Sequence, residues 1–414
     1  MFDIRDIEEL AVLVALDEDT ASLDELAELV RTAGGREVGR LTQKRQTAHP
    51  GHYVGKGKLA ELADIVSLTG ATAIVCDDEL TSSQLRGLAE AVDVKILDRT
   101  MVILDIFAAH ASTAEGKLQV ELAQLGYTLS HLSGIGTQLS RLGGGIGTRG
   151  PGEKKLETDR RHIRARIEQL KREIDTALGH RQVARKARKR SAVPSVAIVG
   201  YTNAGKSTLM NAMADAGVAA QDKLFMTLDT TTRAFKLSTG QQVLLSDTVG
   251  FIRKLPHKLV DAFRATLEEL THADILLHVV DASGADRERQ MEVVARTLRD
   301  LGLGAKPTIA VFNKIDAVSE RPLPSAGSAE RTVFVSALTG AGLCELTAAI
   351  EDVINSAHTQ MRVCVPYTEG ALIARIYETA LIRQADEGED GALFELLANE
   401  KLRNQLQKYI VNQL

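Results

Sequence analysis

The stretch Ser195–Met213, SVAIVGYTNAGKSTLMNAM, decides how this chain is read. An apolar run, Val196–Val199, enters a glycine loop that opens directly into a helical pattern. Gly200, Gly205, Lys206 and Ser207 fit G-x-x-x-x-G-K-S; Tyr201, Thr202, Asn203 and Ala204 fill its variable positions and Thr208 follows. The chemistry asks for glycines because phosphate must come close to backbone N–H groups, and for a helix start because its unsatisfied amides and dipole hold an anion. Lys206 then reaches the β and γ phosphates and the Ser207 hydroxyl ligates Mg²⁺.

Working outward, VLLSDTVG (Val243–Gly250) is a second apolar strand ending in Asp247, with Thr248, Val249 and Gly250 after it. A carboxylate here orients the Mg²⁺ shell, and the glycine amide meets a γ-phosphate oxygen. PTIAVFNKID (Pro307–Asp316) is a third strand, ending in Asn313, Lys314, Ile315 and Asp316. The last carboxylate of N-K-x-D accepts from both N1–H and the 2-amino group of guanine. Adenine lacks that amino group and would leave the carboxylate underpaired. TVFVSALTGAG (Thr332–Gly342) then brings Ser336, Ala337 and Leu338, whose backbone can face the base O6. These motifs, each after an apolar strand, describe a GTP-binding domain; an ATPase would require N-K-I-D to be accidental. A switch segment must also offer Mg²⁺ a hydroxyl when the γ-phosphate is present. Within KLFMTLDTTTRAF (Lys223–Phe235), Thr227, Thr230, Thr231 and Thr232 are all candidates, and spacing does not choose among them.

In Ras-like enzymes the residue after the switch glycine is a glutamine that orients the attacking water. Here it is Phe251, followed by Ile252. A phenyl ring does not position water, so the free protein is expected to hydrolyse GTP slowly, with a partner or a reorganised switch supplying the missing group.

The 414 residues are enough for several domains, and 44% apolar with 25% charged residues is ordinary globular usage. No apolar run approaches the roughly 20 residues of a spanning helix, and the acidic start MFDIRDIEEL has no signal-peptide pattern. A cytoplasmic protein without stable membrane insertion is expected. Cys76, Cys344 and Cys364 are scattered without C-x-x-C spacing, which indicates neither a disulfide framework nor a zinc site. The net charge of −5 hides an asymmetry. Lys154–Arg190 carries 14 Lys or Arg against 5 Asp or Glu, a net +9, so the rest of the chain carries −14.

Residues 1–111 alternate short apolar runs (AVLVAL, ATAIVC, VKIL) with amphipathic helical patterns, the signature of a small α/β domain of nucleotide- or RNA-binding type. Within it, Gly35–Leu62 reads as glycine-rich basic loops, either an RNA-binding surface or, as charge and glycine alone favour, a solvated one. Over 112–190, Leu118, Leu122, Leu125, Leu129 and Leu132, and later Ile163, Ile167, Leu170, Ile174 and Ala177, repeat at 4-3-4-3 spacing. Two long helices with narrow apolar seams are expected, joined by the glycine-rich stretch Gly143–Gly152 as an antiparallel hairpin with a basic tip, or else by a linker without a partner. The basic run ARKARKR (Ala184–Arg190) then precedes a boundary near Pro194. The fold class is therefore α/β: a P-loop GTPase domain (191–358) preceded by the small α/β domain and helical hairpin, and followed by a small C-terminal α/β domain (359–414).

GRLTQKRQTAHPGHYVGKGKLAEL, DDELTSSQLRGLAE, DRTMVILDIFAAHASTAEGKLQVELAQL, LSRLGGGIGTRGPGEKKLETDRRHIRARI and DTVGFIRKLPHKLVDAFRATLEEL together resemble the HflX family of bacterial GTPases over nearly the whole chain. The resemblance implies a Mg²⁺-dependent GTPase, monomeric when free, that binds the large (50S) ribosomal subunit, splits or rescues stalled ribosomes under stress, and has its GTPase raised by that subunit. It gives the hairpin tip a place near the peptidyl transferase centre and ribosomal RNA as partner. RNA unwinding has also been attributed to the family, so a GTP-driven RNA remodeller is the alternative; a docking module toggled by GTP is a third. The family segment FATLDPTTR matches Phe225, Met226, Thr227, Leu228, Asp229 and the residues after them, which selects Thr227 as the Mg²⁺ ligand and puts Lys206, Thr227 and Gly250 at the transferred phosphate. Met226 replaces a small residue and Thr230 a proline, so the segment is expected to be looser before it orders.

Overall fold

The computed structural model describes residues 8–16, 20–132, 151–190, 193–214, 224–225, 231–254, 270–318, 329–356, 359–398 and 400–412. The chain divides into two units that are not colinear with it. Unit 1 gathers Met1–Leu178, Gln221–Asp229 and Val249–Thr266; unit 2 gathers Gly179–Ala220, Thr230–Thr248 and Leu267–Leu414.

Unit 1 is built on a parallel sheet, β2-β1-β3-β4, of Leu10–Ala15 (β1), Arg36–Thr42 (β2), Ala73–Cys76 (β3) and Lys95–Asp98 (β4). β1 and β3 are central and buried almost without interruption, which is why their sequences read as continuous apolar runs. Thr20–Thr32 (α1), Lys56–Thr69 (α2), Ser82–Ala91 (α3) and Arg99–His110 (α4) supply the crossovers and the helix after β4. Thr81 and Gln84 form a reciprocal capping box at the start of α3, and the Asp98 carboxylate caps α4 by accepting from the Met101 N–H. The loops expected over Gly35–Leu62 give way in part to β2 and the start of α2. β2 is an edge strand that pairs only with β1 and is mostly half-buried or exposed, so its polar sequence REVGRLT hides the strand.

The helical hairpin is present as Ala114–Leu132 (α5) and Pro151–Arg190 (α6); its glycine-rich tip, 143–150, lies outside the described residues. Arg166 donates twice to Glu121 (2.7 and 2.9 Å) and Arg160 donates to the Leu132 carbonyl (3.0 Å), a falling-against-rising pairing that makes the arms antiparallel. The narrow leucine seam expected of α5 is corrected. Its buried positions are Glu115, Gly116, Gln119, Val120 and Tyr127, while the 4-3-4-3 leucines are only half-buried. α5 packs against α3 and α4 as well as facing α6, so its apolar surface is divided between neighbours.

Unit 2 holds two sheets. One, β10-β9-β8-β5-β7-β6, comprises Ser195–Gly200 (β5), Thr232–Lys236 (β6), Gln242–Asp247 (β7), Ile275–Asp281 (β8), Thr308–Asn313 (β9) and Arg331–Phe334 (β10), parallel except for the β6–β7 hairpin. Lys206–Ala214 (α7), Arg287–Asp300 (α8) and Leu343–Ser356 (α9) follow β5, β8 and β10. Val196, Ile198, Leu245, Leu277, Val311, Leu346 and Ile350 belong to one aliphatic core. The other sheet, β12-β13-β11-β14, is antiparallel: Thr359–Val365 (β11), Leu381–Glu387 (β12), Ala392–Ala398 (β13) and Ile410–Asn412 (β14), with Gly370–Thr379 (α10) and Glu400–Leu406 (α11). No helix among the described residues is long and apolar enough to cross a membrane.

Two helical glycines of unit 1 make opposite demands. A Cβ on Gly87 in α3 would meet the Gly51 carbonyl oxygen at 2.0 Å, whereas one on Gly126 in α5 meets nothing within 4 Å. Urea unfolding of the full chain should show Gly87→Ala destabilised by about 2 kcal/mol or more, and Gly126→Ala stabilised by about 0.5–1 kcal/mol. Equal effects would remove the close approach of α3 to the Gly51 loop.

Candidate nucleotide site

The strands β5, β7, β8 and β9 run parallel and all end at one edge of their sheet, so Gly200, Asp247, Asp281 and Asn313 arrive together there, as ligand sites do in open α/β sheets. The loop after β5 is tight. A Cβ on Gly200 would lie 2.3 Å from the Val279 carbonyl oxygen; Gly205, at φ +89, would bring one to 2.3 Å from Asn313 Nδ2. Asn203 itself takes φ +61, a left-handed conformation that asparagine tolerates. Lys206 opens α7, and its Nζ donates to the Tyr201 carbonyl at 2.8 Å, folded back over the loop.

Three contacts tie the motifs together. The Asn313 amide donates from Nδ2 to the Ala204 carbonyl (3.0 Å) and accepts at Oδ1 from the Ala337 N–H (3.0 Å), joining the phosphate loop to the Ser336–Leu338 loop. Ser207 Oγ donates to Asp247 Oδ2 at 2.7 Å, and Asp247 Oδ1 accepts from the Thr248 N–H at 2.9 Å. Ser336 Oγ donates to Asp316 Oδ1 at 2.5 Å, holding that exposed carboxylate in one orientation. Lys314, at φ +63, pairs with Asp281 at 2.7 Å. Leu338 stands 80% exposed beside this edge, whereas Ser336 and Ala337 are buried.

Burial lowers the Lys206 ammonium to about 8, the nearby Asp247 charge only partly offsetting it. The loop thus holds a cation that costs free energy until an anion meets it.

Models of four consecutive families match the chain: a GTP-binding GTPase N-terminal region over residues 20–108, a GTP-binding GTPase middle region over 110–188, a 50S ribosome-binding GTPase over 195–314, and an HflX C-terminal domain over 323–408. A GTPase HflX from Lacrimispora saccharolytica is 52% identical over 396 residues, 94% of each chain, and one from Escherichia coli is 42% identical over 400 residues, 95% of this chain and 94% of its own. The chain belongs to the HflX family of GTPases. Among solved structures, a GTP-binding protein from Sulfolobus solfataricus in complex with GDP covers 83% of this chain and 98% of its own at 23% identity, with a TM-score of 0.43.

As an HflX-family enzyme the protein binds GTP and hydrolyses it. Of the expected switch residues, Phe225 is buried, whereas Met226, Thr227, Leu228 and Asp229 lie outside the described residues. Phe225 and Val249–Ile252 belong to unit 1. There Phe225, at φ +55, meets Phe107 edge-on at 4.7 Å between centroids, and the Leu224 N–H donates to Thr32 Oγ1 at 3.4 Å. Phe251 and Ile252 are 3% and 2% exposed.

Sequence reasoning missed what lies beside them. Lys254, at φ +50, donates to Asp77 Oδ2 (2.5 Å) and Asp78 Oδ1 (2.7 Å), the carboxylates that follow β3. Asp77 is almost wholly buried and also accepts from Ser22 Oγ and from Arg99, itself 1% exposed and paired with Glu25. Tyr53 donates to Asp78 at 2.6 Å. Burial pulls the Lys254 ammonium down, but the Asp77 and Asp78 charges outweigh it and the net shift is upward. Asp281 was also missed, as was the side-chain role of Ser336. The signal available for Lys254 was a basic pair, Arg253 and Lys254, just after an apolar switch segment, which pattern reading alone does not pair with a residue some 177 positions away.

The depressed ammonium of Lys206 has a measurable consequence. Free, it titrates near 8; a phosphate opposite it restores the ordinary preference for charge. The sign follows directly: below that value the lysine is charged with or without nucleotide, and above it only the complex keeps the proton. Calorimetry of GDP binding in buffers of different ionisation heat should therefore show uptake of a proton at about pH 9 and almost none near pH 7. Binding heat independent of the buffer at pH 9 would refute the depression. In the nucleotide-free fold the same group costs stability below 8, a cost that fades between 8 and its ordinary 10.5.

Proposed function

We propose that this chain is a Mg²⁺-dependent GTPase that binds the large (50S) ribosomal subunit through its ribosomal RNA and splits or rescues stalled ribosomes, with hydrolysis completed by that subunit. The observation that carries the reading is Phe251. At 3% exposure, immediately after Gly250, it puts a phenyl ring where Ras-like enzymes carry the glutamine that orients the attacking water. The match of residues 195–314 to a family described as 50S ribosome-binding GTPases supports the ribosome as the partner that completes the site. The basic arm of the hairpin supplies the charge for an RNA contact.

In this reading Gly200–Thr208 cradle the phosphates and Lys206 meets the β and γ groups. Asp316, held by Ser336, reads guanine; Asn313, Lys314, Ile315, Ala337 and Leu338 frame the base. Ser207 and Asp247 fit the Mg²⁺ shell, since a hydroxyl and a buried carboxylate already in hydrogen-bond contact are the oxygen donors a hard cation takes. Bound there with Thr227 as a further ligand, Mg²⁺ would neutralise charge on the phosphates. Thr248, Val249 and Gly250 follow Asp247, and the Gly250 amide meets the γ-phosphate. Phe225, Met226, Thr227, Leu228 and Asp229 form the facing switch. The domain boundaries we propose are 1–111, 112–190, 191–358 and 359–414, in a protein that is cytoplasmic and monomeric when free.

Steady-state GTPase should be slow for the purified chain and rise by about two orders of magnitude or more with large ribosomal subunits, but not with small subunits or bulk RNA. Equal stimulation by any RNA would favour the RNA remodeller, and no stimulation would leave Phe251 without a completing partner. Asp316→Asn reverses the donor pattern facing the base, so preference should move from guanine to xanthine nucleotides by about tenfold or more in competition binding; an unchanged preference removes Asp316 from the base site.

A further inference from the structure

Thr202 occupies the second variable position of the phosphate loop and is 6% exposed, yet its Oγ1 is buried without a hydrogen-bond partner. Other polar side chains of the loop and of the strand end beside it have partners within the fold: Thr248 Oγ1 donates to the Ile198 carbonyl, Ser207 Oγ to Asp247, and Lys206 Nζ to the Tyr201 carbonyl. An orphaned buried hydroxyl costs about 1–3 kcal/mol, and folded proteins keep few of them. Valine would fill the same space without that cost. The hydroxyl therefore calls for a partner that comes from outside the fold.

Covalent geometry bounds how far the hydroxyl lies from the lysine of the loop. The Lys206 ammonium rests 2.8 Å from the Tyr201 carbonyl oxygen, and that carbonyl is bonded to the Thr202 nitrogen. Thr202 Oγ1 consequently lies within about 8 Å of the ammonium. The P-loop lysine is the group that meets the terminal phosphates. An anion drawn to it arrives within about that distance of the Thr202 hydroxyl.

We propose that the Thr202 hydroxyl donates a hydrogen bond to a γ-phosphoryl oxygen of GTP and thereby helps the protein distinguish GTP from GDP. The inference rests on the GTP site described above and assigns one of its loop residues a specificity role. GDP has no γ-phosphoryl group, so the hydroxyl stays unpaired in the GDP complex. A neutral donor to an ionised oxygen forms a stronger bond than one to a carbonyl, which makes the discrimination measurable.

The test compares dissociation constants for GDP and for a non-hydrolysable GTP analogue, with Mg²⁺ present, on full-length wild type, Thr202→Val and Thr202→Ser. Thr202→Val should weaken the analogue about tenfold or more while leaving GDP within about twofold, and Thr202→Ser should bind both like wild type. Thr202→Ala, which adds no methyl bulk to the loop, should repeat the selective loss. Equal weakening of both nucleotides in the valine and alanine variants would mean the side chain shapes the loop, and no weakening of either would mean the hydroxyl is idle; both overturn the proposal. A wild-type chain that binds neither nucleotide would instead overturn the site itself.

Discussion

The side-chain amide of Asn313 fixes how the nucleotide site is assembled. Its nitrogen binds the Ala204 carbonyl and its oxygen binds the Ala337 N–H, so one residue at the end of β9 sets the spacing between the phosphate loop and the loop that follows β10. The arrangement is demanding in both directions. Gly205 has to be glycine because the amide occupies the volume a Cβ would take, and the amide stays buried because both its polar atoms are satisfied. An aspartate would lose the donor and a leucine both bonds. The distance between the loop after β5 and the loop after β10 is thus a property of one short, doubly anchored side chain.

A second constraint acts on the residues just past the catalytic edge. Asp247 and Thr248 belong with the GTPase sheet, whereas Val249 through Lys254 belong to the compact unit formed by the N-terminal residues. Phe251 and Ile252 are apolar because they are buried there, and Lys254 ends the run as the counter-ion of Asp77 and Asp78. Removing Asp77 from water is tolerable only because Arg99, Ser22 and Lys254 share its oxygens. Phe225, before the segment that bears Thr227, meets Phe107 of the same unit. Both segments expected to sense the γ-phosphate therefore begin or end in contacts with residues of the N-terminal unit.

The legible part of this molecule was the part where backbone chemistry dictates sequence. Gly200, Gly205, Lys206, Asp247, Asn313 and Asp316 could be read because close approach, charge and base pattern admit few alternatives, and the strands before them are buried on both faces. β2 was hidden because an edge strand needs only one neighbour and carries polar residues. The leucine repeat of α5 announced a helix correctly and its burial incorrectly, because a repeat reports which residues share a face and not which of several neighbours that face meets. Lys254, Asp77 and the Ser336–Asp316 contact depend on long-range pairing, which no local pattern encodes.

The phosphate loop is also electrically incomplete by itself. Lys206 is buried deeply enough that its charge is disfavoured, Thr202 Oγ1 has no partner, and the Lys206 ammonium settles on a carbonyl of its own loop. The first two are small destabilisations of the nucleotide-free fold, and in the proposed site the same anion would relieve both. The Ser207–Asp247 bond works in the opposite sense, since it satisfies in advance the two oxygen donors that a divalent cation would recruit. Stability given up at the phosphate end and retained at the cation end makes the loop respond first to charge. In the proposed site, discrimination among nucleotides would fall to Asp316 at the base and to the hydroxyl of Thr202 at the terminal phosphate.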